Sequence, residues 1–115
     1  MRFLVTRPEP DAVRTAMALR ARGHGVVIAP LLRIEPLPGE AIGAGPWAAV
    51  LVTSANIAHA VAGHAKRADL SRLLVFAVGE RTAEARRTLG CANVISAGGD
   101  ADDLARTVAA HFNAP

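Results

Sequence analysis

Val50-Leu51-Val52-Thr53-Ser54-Ala55-Asn56 reads as a buried strand that turns directly into a helix, and the rest of the chain is arranged around that junction. Residues 49–52 are apolar without a break, as expected of a parallel-sheet strand covered on both faces, and Thr53 and Ser54 supply small hydroxyls where it ends. Ser54 is the expected N-cap of the following helix. The amides of Ala55, Asn56 and Ile57 would then face an anion such as a carboxylate or a phosphate.

Upstream, residues 2–6 read as a first strand, which Pro8 and Pro10 end while setting up a helix from Asp11. Ala12, Val13, Ala16, Met17 and Leu19 recur at helical spacing, Gly23 closes that helix at C′, and Val26-Val27-Ile28 forms a second strand. The three elements make a strand-helix-strand unit with a right-handed crossover. Residues 31–37, bounded by Pro30 and Pro38, interrupt the alternation and read as an extended connector or hinge strand.

Downstream, a helix over residues 55–66 is expected to turn Ile57, Ala60, Val61 and Ala65 inward, with Asp69 and Ser71 in a short loop. Residues 73–78 form another buried strand. Gly79-Glu80 opens a helix whose Ala83, Ala85 and Leu89 face the sheet before Gly90 stops it. A strand over residues 93–96 and a turn at Ala97-Gly98-Gly99-Asp100 lead to a last helix carrying Leu104, Val108 and Phe112. Asp100 is its expected N-cap, and Asp102 and Asp103 suit its positive end. The pattern specifies an α/β fold: an open parallel sheet of about five strands with helices on both faces, flavodoxin-like. Its corners at Thr6-Arg7, Thr53-Ser54 and Gly79-Glu80 fall on the carboxyl edge, where open α/β sheets bind ligands.

Composition narrows the classes. The 115 residues are 51% hydrophobic and 20% charged, enough for one compact domain with a core and too apolar for disorder. The aromatic residues are Phe3, Trp47, Phe76 and Phe112, too few to build stacking platforms for single-stranded nucleic acid. A net charge of +3 comes from twelve Arg and one Lys scattered along the chain, with no basic run. Nucleic-acid association rests only on the pI near 10.4, so no nucleic-acid partner is expected, whereas a polyanionic small molecule is compatible. Cys91 is the sole cysteine, which rules out an intramolecular disulfide and points to a reducing, cytoplasmic setting. No apolar run approaches the roughly 18 residues needed to span a bilayer, so no membrane partner is expected.

Several chemistries lack their motifs. There is no GxGxxG or GxxxxGK[ST] loop, and Ser54 has no GxSxG elbow. His24, His59, His64 and His111 show no metal spacing; His59 and His64 fall five apart on the helix expected over residues 55–66. What remains is a set of small donors at helix starts: Thr6, Arg7, Thr53, Ser54, Asn56, Gly79 and Thr82. They are either caps and first-turn residues or a site for an anionic ligand held by neutral donors and one Arg, and spacing does not choose between the two.

The segments Val5-Thr6-Arg7-Pro8-Glu9-Pro10, Val27-Ile28-Ala29-Pro30-Leu31-Leu32-Arg33-Ile34-Glu35-Pro36, Leu51-Val52-Thr53-Ser54-Ala55-Asn56, Phe76-Ala77-Val78-Gly79-Glu80-Arg81-Thr82-Ala83 and Ala97-Gly98-Gly99-Asp100-Ala101-Asp102-Asp103-Leu104 occur in order over nearly the whole chain. Each is short; together they resemble the N-terminal half of the uroporphyrinogen-III synthase family. The resemblance implies a cytoplasmic lyase of porphyrin and heme biosynthesis that cyclises the linear tetrapyrrole hydroxymethylbilane, inverting the last pyrrole ring, without a metal or organic cofactor. It further implies two α/β domains joined by a two-stranded linker, with substrate in the cleft between them. On this chain that gives residues 1–30 as the strand-helix-strand unit of the first domain, 31–46 as linker and 47–115 as a partial second domain, or else one domain over 1–115. Thr6 and Arg7 match the first domain's cleft edge, and Thr53, Ser54, Asn56, Gly79 and Thr82 match that of the second. Members of the family are roughly twice this length, so the expectation is a truncated synthase, a naturally short relative, or one part of an enzyme completed by another chain, with a homodimer as a further assembly. The tyrosine proposed as proton donor lies in the family's later half, and this sequence has no Tyr, so no catalytic acid is assigned. The alternative from another class is a non-catalytic α/β module that binds a small anionic metabolite or a protein partner.

Overall fold

Alternating apolar runs and helical stripes give the expected order of elements. The computed structural model describes residues 1–113. Its elements are β1 (Arg2–Val5), α1 (Asp11–Ala21), β2 (Gly25–Ile28), β3 (Ala49–Val52), α2 (Ile57–Ala62), α3 (Arg67–Ser71), β4 (Leu74–Val78), α4 (Arg81–Leu89), β5 (Val94–Ala97) and α5 (Ala101–Phe112). All strand pairings are parallel, as the helical crossovers require. The five strands are divided between two sheets, one of two strands and one of three, and the chain forms two units, Met1–Glu35 and Pro36–Pro115.

In the first unit β1 and β2 pair from Arg2 with Gly25 to Val5 with Ile28. Helix α1 packs on them through Ala12 and Ala16, both fully buried, whose small side chains allow a close approach of helix and strands. Val13 and Met17, read as part of the same stripe, are exposed instead. The helix ends in a Schellman motif: Gly23 at φ 84° donates its N–H to Arg20 O, and the His24 N–H reaches Leu19 O. Gly23 is needed there because an L side chain disfavours that backbone region. Residues 31–37 form no strand, so the hinge strand of the sequence reading is an unpaired connector.

The second unit is built on β4, the middle strand of the order β3-β4-β5. Its Val75, Phe76 and Ala77 are 0% exposed, which explains the unbroken apolar run: a central parallel strand is covered on both faces. On one face Val52, Val75 and Ala77 meet Val61, Leu70, Ala85, Leu89 and Cys91. On the other, Phe76 and Ala97 meet Leu104, with Val108 alongside. Burying Phe76 contributes about 2–3 kcal/mol of apolar transfer, and its ring lies edge-on to His111 at 5.5 Å and tilted against Phe112 at 5.9 Å.

Three local readings are corrected. The helix expected over residues 55–66 is two short helices, α2 and α3, because the chain turns at Gly63. His59 therefore lies in α2 and His64 beyond its end, while Asp69 and Ser71 lie within α3 and not in a loop. Ala65 is exposed and Leu70 takes the buried place; Ala83 is likewise exposed, leaving Ala85 and Leu89 as the inner face of α4.

Candidate functional site

The parallel register of the second sheet sets its carboxyl edge. Val52 pairs with Ala77, and Val78 pairs with Ala97, so Thr53-Ser54, Gly79 and Gly98 follow three adjacent strands and emerge side by side, about 4.8 Å apart from strand to strand. The structure thus brings Thr53, Ser54 and Gly79 onto one edge, with Asn56 and Thr82 one turn further on. Thr6 and Arg7 follow β1 at the carboxyl end of the other sheet, in the first unit.

Each corner uses its donors differently. After β3, the Ser54 hydroxyl accepts the Asn56 N–H at 3.2 Å, and the Ile57 N–H reaches Ser54 O at 3.3 Å. Asn56, not Ser54, is the N-cap residue of α2, and it caps without a side-chain bond. Two of the three amides expected to face an anion are therefore satisfied within the turn, and α2 is only six residues long. After β5, Asp100 extends its side chain to the Asp103 N–H at 2.8 Å, as expected for the N-cap of α5. Asp102 and Asp103 add two more acids to that first turn. Asp103 sits against Gly98 so closely that a Cβ there would fall 2.7 Å from its Oδ2. The Arg106 guanidinium, hydrogen-bonded to Asp103, holds that carboxyl below the ordinary carboxylate range, against a smaller opposing effect of desolvation. An acidic first turn repels a further anion.

The corner after β4 leaves a donor unmet, although its own helix start carries Glu80 and Glu84. Gly79 at φ 55° turns the chain sharply into the nine-residue α4, with Glu80 as N-cap residue and Arg81 first in the helix. The Thr82 amide reaches Gly79 O at 3.2 Å, but the Thr82 hydroxyl oxygen is buried without a hydrogen-bond partner. A hydroxyl without a partner at a helix N-terminus carries unmet bonding capacity where the helix dipole favours negative charge. In the first unit, the Arg7 guanidinium donates to Thr15 Oγ1 at 2.9 Å and pairs with Asp11 at 3.3 Å, so it is oriented by α1.

Sequence reasoning left Gly98 out of the site set although it occupies the same edge. Its signal was the Ala97-Gly98-Gly99-Asp100 turn, which the sequence reading used as a turn and as part of the family resemblance but not as a site. Apolar grooves lie elsewhere: one of about 390 Å³ is lined by Trp47, Val50, Leu51, Ile57 and Val61, and another by Leu51, Leu104, Val108 and Phe112. Neither offers a charged donor to an acidic ligand. Among the described residues, no helix is long and apolar enough to cross a membrane.

Parallel strands joined by helices, with the three-stranded sheet covered on both faces, define an α/β protein, a class that binds ligands at the carboxyl edge of its sheet. Residues 13–114 match the family described as uroporphyrinogen-III synthase HemD, and the chain belongs to that family. No curated protein matches it.

Proposed function

We propose that the chain takes part in uroporphyrinogen-III synthesis, binding the carboxylate-rich linear tetrapyrrole hydroxymethylbilane along the carboxyl edge and promoting its closure to uroporphyrinogen III with inversion of the last ring. The observation that carries this reading is the buried Thr82 hydroxyl, which lacks a partner at the N-terminus of α4, on the edge of a family member.

In this reading the side chains act chiefly by positioning. Thr82 donates its hydroxyl proton to a substrate carboxylate, and Gly79 lets the substrate approach the backbone closely. Thr53 and Ser54, one strand away, supply further neutral contacts, and Thr6 with Arg7 supplies those of the first unit. Neutral donors hold the acidic side arms without fixing one pose, which suits a chain that must fold back on itself. Departure of the terminal hydroxyl as water leaves an electron-poor azafulvene. Inversion then requires the azafulvene carbon to bond to the already substituted α-carbon of the last ring. That ring's existing bond to its neighbouring bridge carbon breaks, and the bridge re-bonds at the free α-carbon, which loses its proton. Holding the reacting carbons near each other favours this course over direct closure. The reading asks for no cofactor.

The test is to incubate the protein with freshly generated hydroxymethylbilane and resolve the products. Type III isomer above the spontaneous background supports catalysis. Type I alone overturns it, and saturable heat with uroporphyrinogen III in that case would leave a binding module for an anionic metabolite.

A further inference from the structure

We propose that the chain forms a two-fold dimer in which the open edge of β3 pairs antiparallel with the same edge of a second copy, Ala49 of each strand lying opposite Leu51 of the other. In the order β3-β4-β5, β3 has a neighbour on one side only. Hydrogen-bond alternation decides which of its groups face outward. The Val75 N–H donates to Asn93 O at 3.0 Å, so Val75 faces β5 and its neighbours Leu74 and Phe76 face β3. Phe76 is in register with Leu51, so its bonds run to Val50 and Val52. That leaves the N–H and C=O of Ala49 and Leu51 pointing away from β4, and among the described residues no strand takes them.

Natural sheet edges are usually guarded by a charge, a proline or a bulge. This one is bare: residues 41–65 contain no Asp, Glu, Lys or Arg, and β3 contains no proline. The grooves beside it are apolar on both faces of the sheet. Trp47 and Ile57 wall the one next to Val50, and Leu104, Val108 and Phe112 wall the one next to Leu51. Trp47, Leu51 and Phe112 are 49%, 54% and 48% exposed. The opposite edge differs, because Val94 and Ile95 of β5 are half-buried and its exposed residue is Ser96.

A second copy is the occupant these features select. A partner recognised by charge finds none here to pair with, whereas a two-fold axis at Val50 makes the edge complementary to itself. Each Ala49–Leu51 pair exchanges both of its N–H···O bonds, and each exposed Leu51 comes opposite a small Ala49. Val50 meets Val50 of the second copy in the closer, non-hydrogen-bonded kind of pair. The two three-stranded sheets become one continuous sheet. The strand pair and the closed grooves bury roughly 1,000 Å² in total, the lower bound for a specific interface, so the dissociation constant is expected in the micromolar range.

Three measurements on the full chain test this. Sedimentation velocity from low micromolar protein to about 200 μM should show monomer passing to dimer. Leu51→Lys places two ammonium groups near the axis and should raise the dissociation constant at least about tenfold, with circular dichroism unchanged to show that the chain stays folded. In Val50→Cys/Cys91→Ala the two introduced thiols stand on the axis with Cα atoms about 4.5 Å apart, so mild oxidation should yield covalent dimer. In Leu51→Cys/Cys91→Ala the separation exceeds about 7 Å and no bridge should form. A monomer at every concentration, a dimer indifferent to Leu51→Lys, or a bridge through position 51 and not position 50 overturns the proposal.

Discussion

At Thr82 a hydroxyl is buried and given no partner, which costs stability in the free protein. Thr82→Val removes that oxygen and keeps the branched shape, so it should stabilise the fold by about 1 kcal/mol, read as a higher denaturant midpoint with unchanged slope. The same change should weaken uroporphyrinogen III binding by about tenfold or more, since a hydrogen bond to a charged group is worth about 1.5–3 kcal/mol. A variant that binds normally, or that loses stability, would separate Thr82 from the site. Cys91 shows the opposite economy of a group with no task at the surface. It is 7% exposed, and burial pushes its thiol above the ordinary range, so little thiolate forms at neutral pH. Thiol reagents should modify it at least about tenfold more slowly in the folded protein than in denaturant. Equal rates would mean that the second unit opens readily.

Helix α5 is the element most fully specified by its own residues. Asp100→Ala should cost about 1 kcal/mol by removing the bond to the Asp103 N–H, and Asp100→Asn should restore most of it. Asp103, whose carboxyl titrates below its ordinary range in the fold, contributes stability that is present above about pH 4 and lost as pH falls through the lowered value. Asp103→Asn should therefore flatten the acid limb of the stability curve below about pH 4, checked by urea midpoints across that range. This helix was legible in the sequence because its signals are local: an acid cap, acids in the first turn and an apolar stripe. The central strand was legible for a similar reason, since Val75-Phe76-Ala77 has no polar residue to place. The break at Gly63 was not. It depends on a side chain from outside the apolar stripe, His64, whose Nδ1 takes the Lys66 N–H that a continuous helix would have bonded to its own carbonyl. Ser54 was misread as a cap because Ser turns and Ser caps use the same oxygen and differ by one residue in where the helix begins. The site is legible at the level of the edge, which parallel topology dictates. Which edge donors are already satisfied depends on turn geometry, and no periodicity encodes that.

The two units differ in how much core each owns, and this decides how the molecule should open. The first buries Val5, Ala12 and Ala16, two of them alanines, while its paired Leu4 and Val27 are 66% and 47% exposed. The second buries Phe76, Leu89, Val52 and Val75 almost completely, on two faces of one sheet. A unit of the first kind falls in the size range that seldom holds itself together by apolar burial alone. Amides of β1 and β2 should then exchange with solvent through a sub-global opening, cheaper than global unfolding by several kcal/mol, whereas those of Val75, Phe76 and Ala77 exchange only when the whole second unit unfolds. Native-state hydrogen exchange over low denaturant concentrations distinguishes the two. Opening of β1 and β2 should show a small dependence on denaturant, and Phe76 one equal to the global value. If both sets of amides converge on one slope and one free energy without added denaturant, the chain unfolds as a single cooperative body.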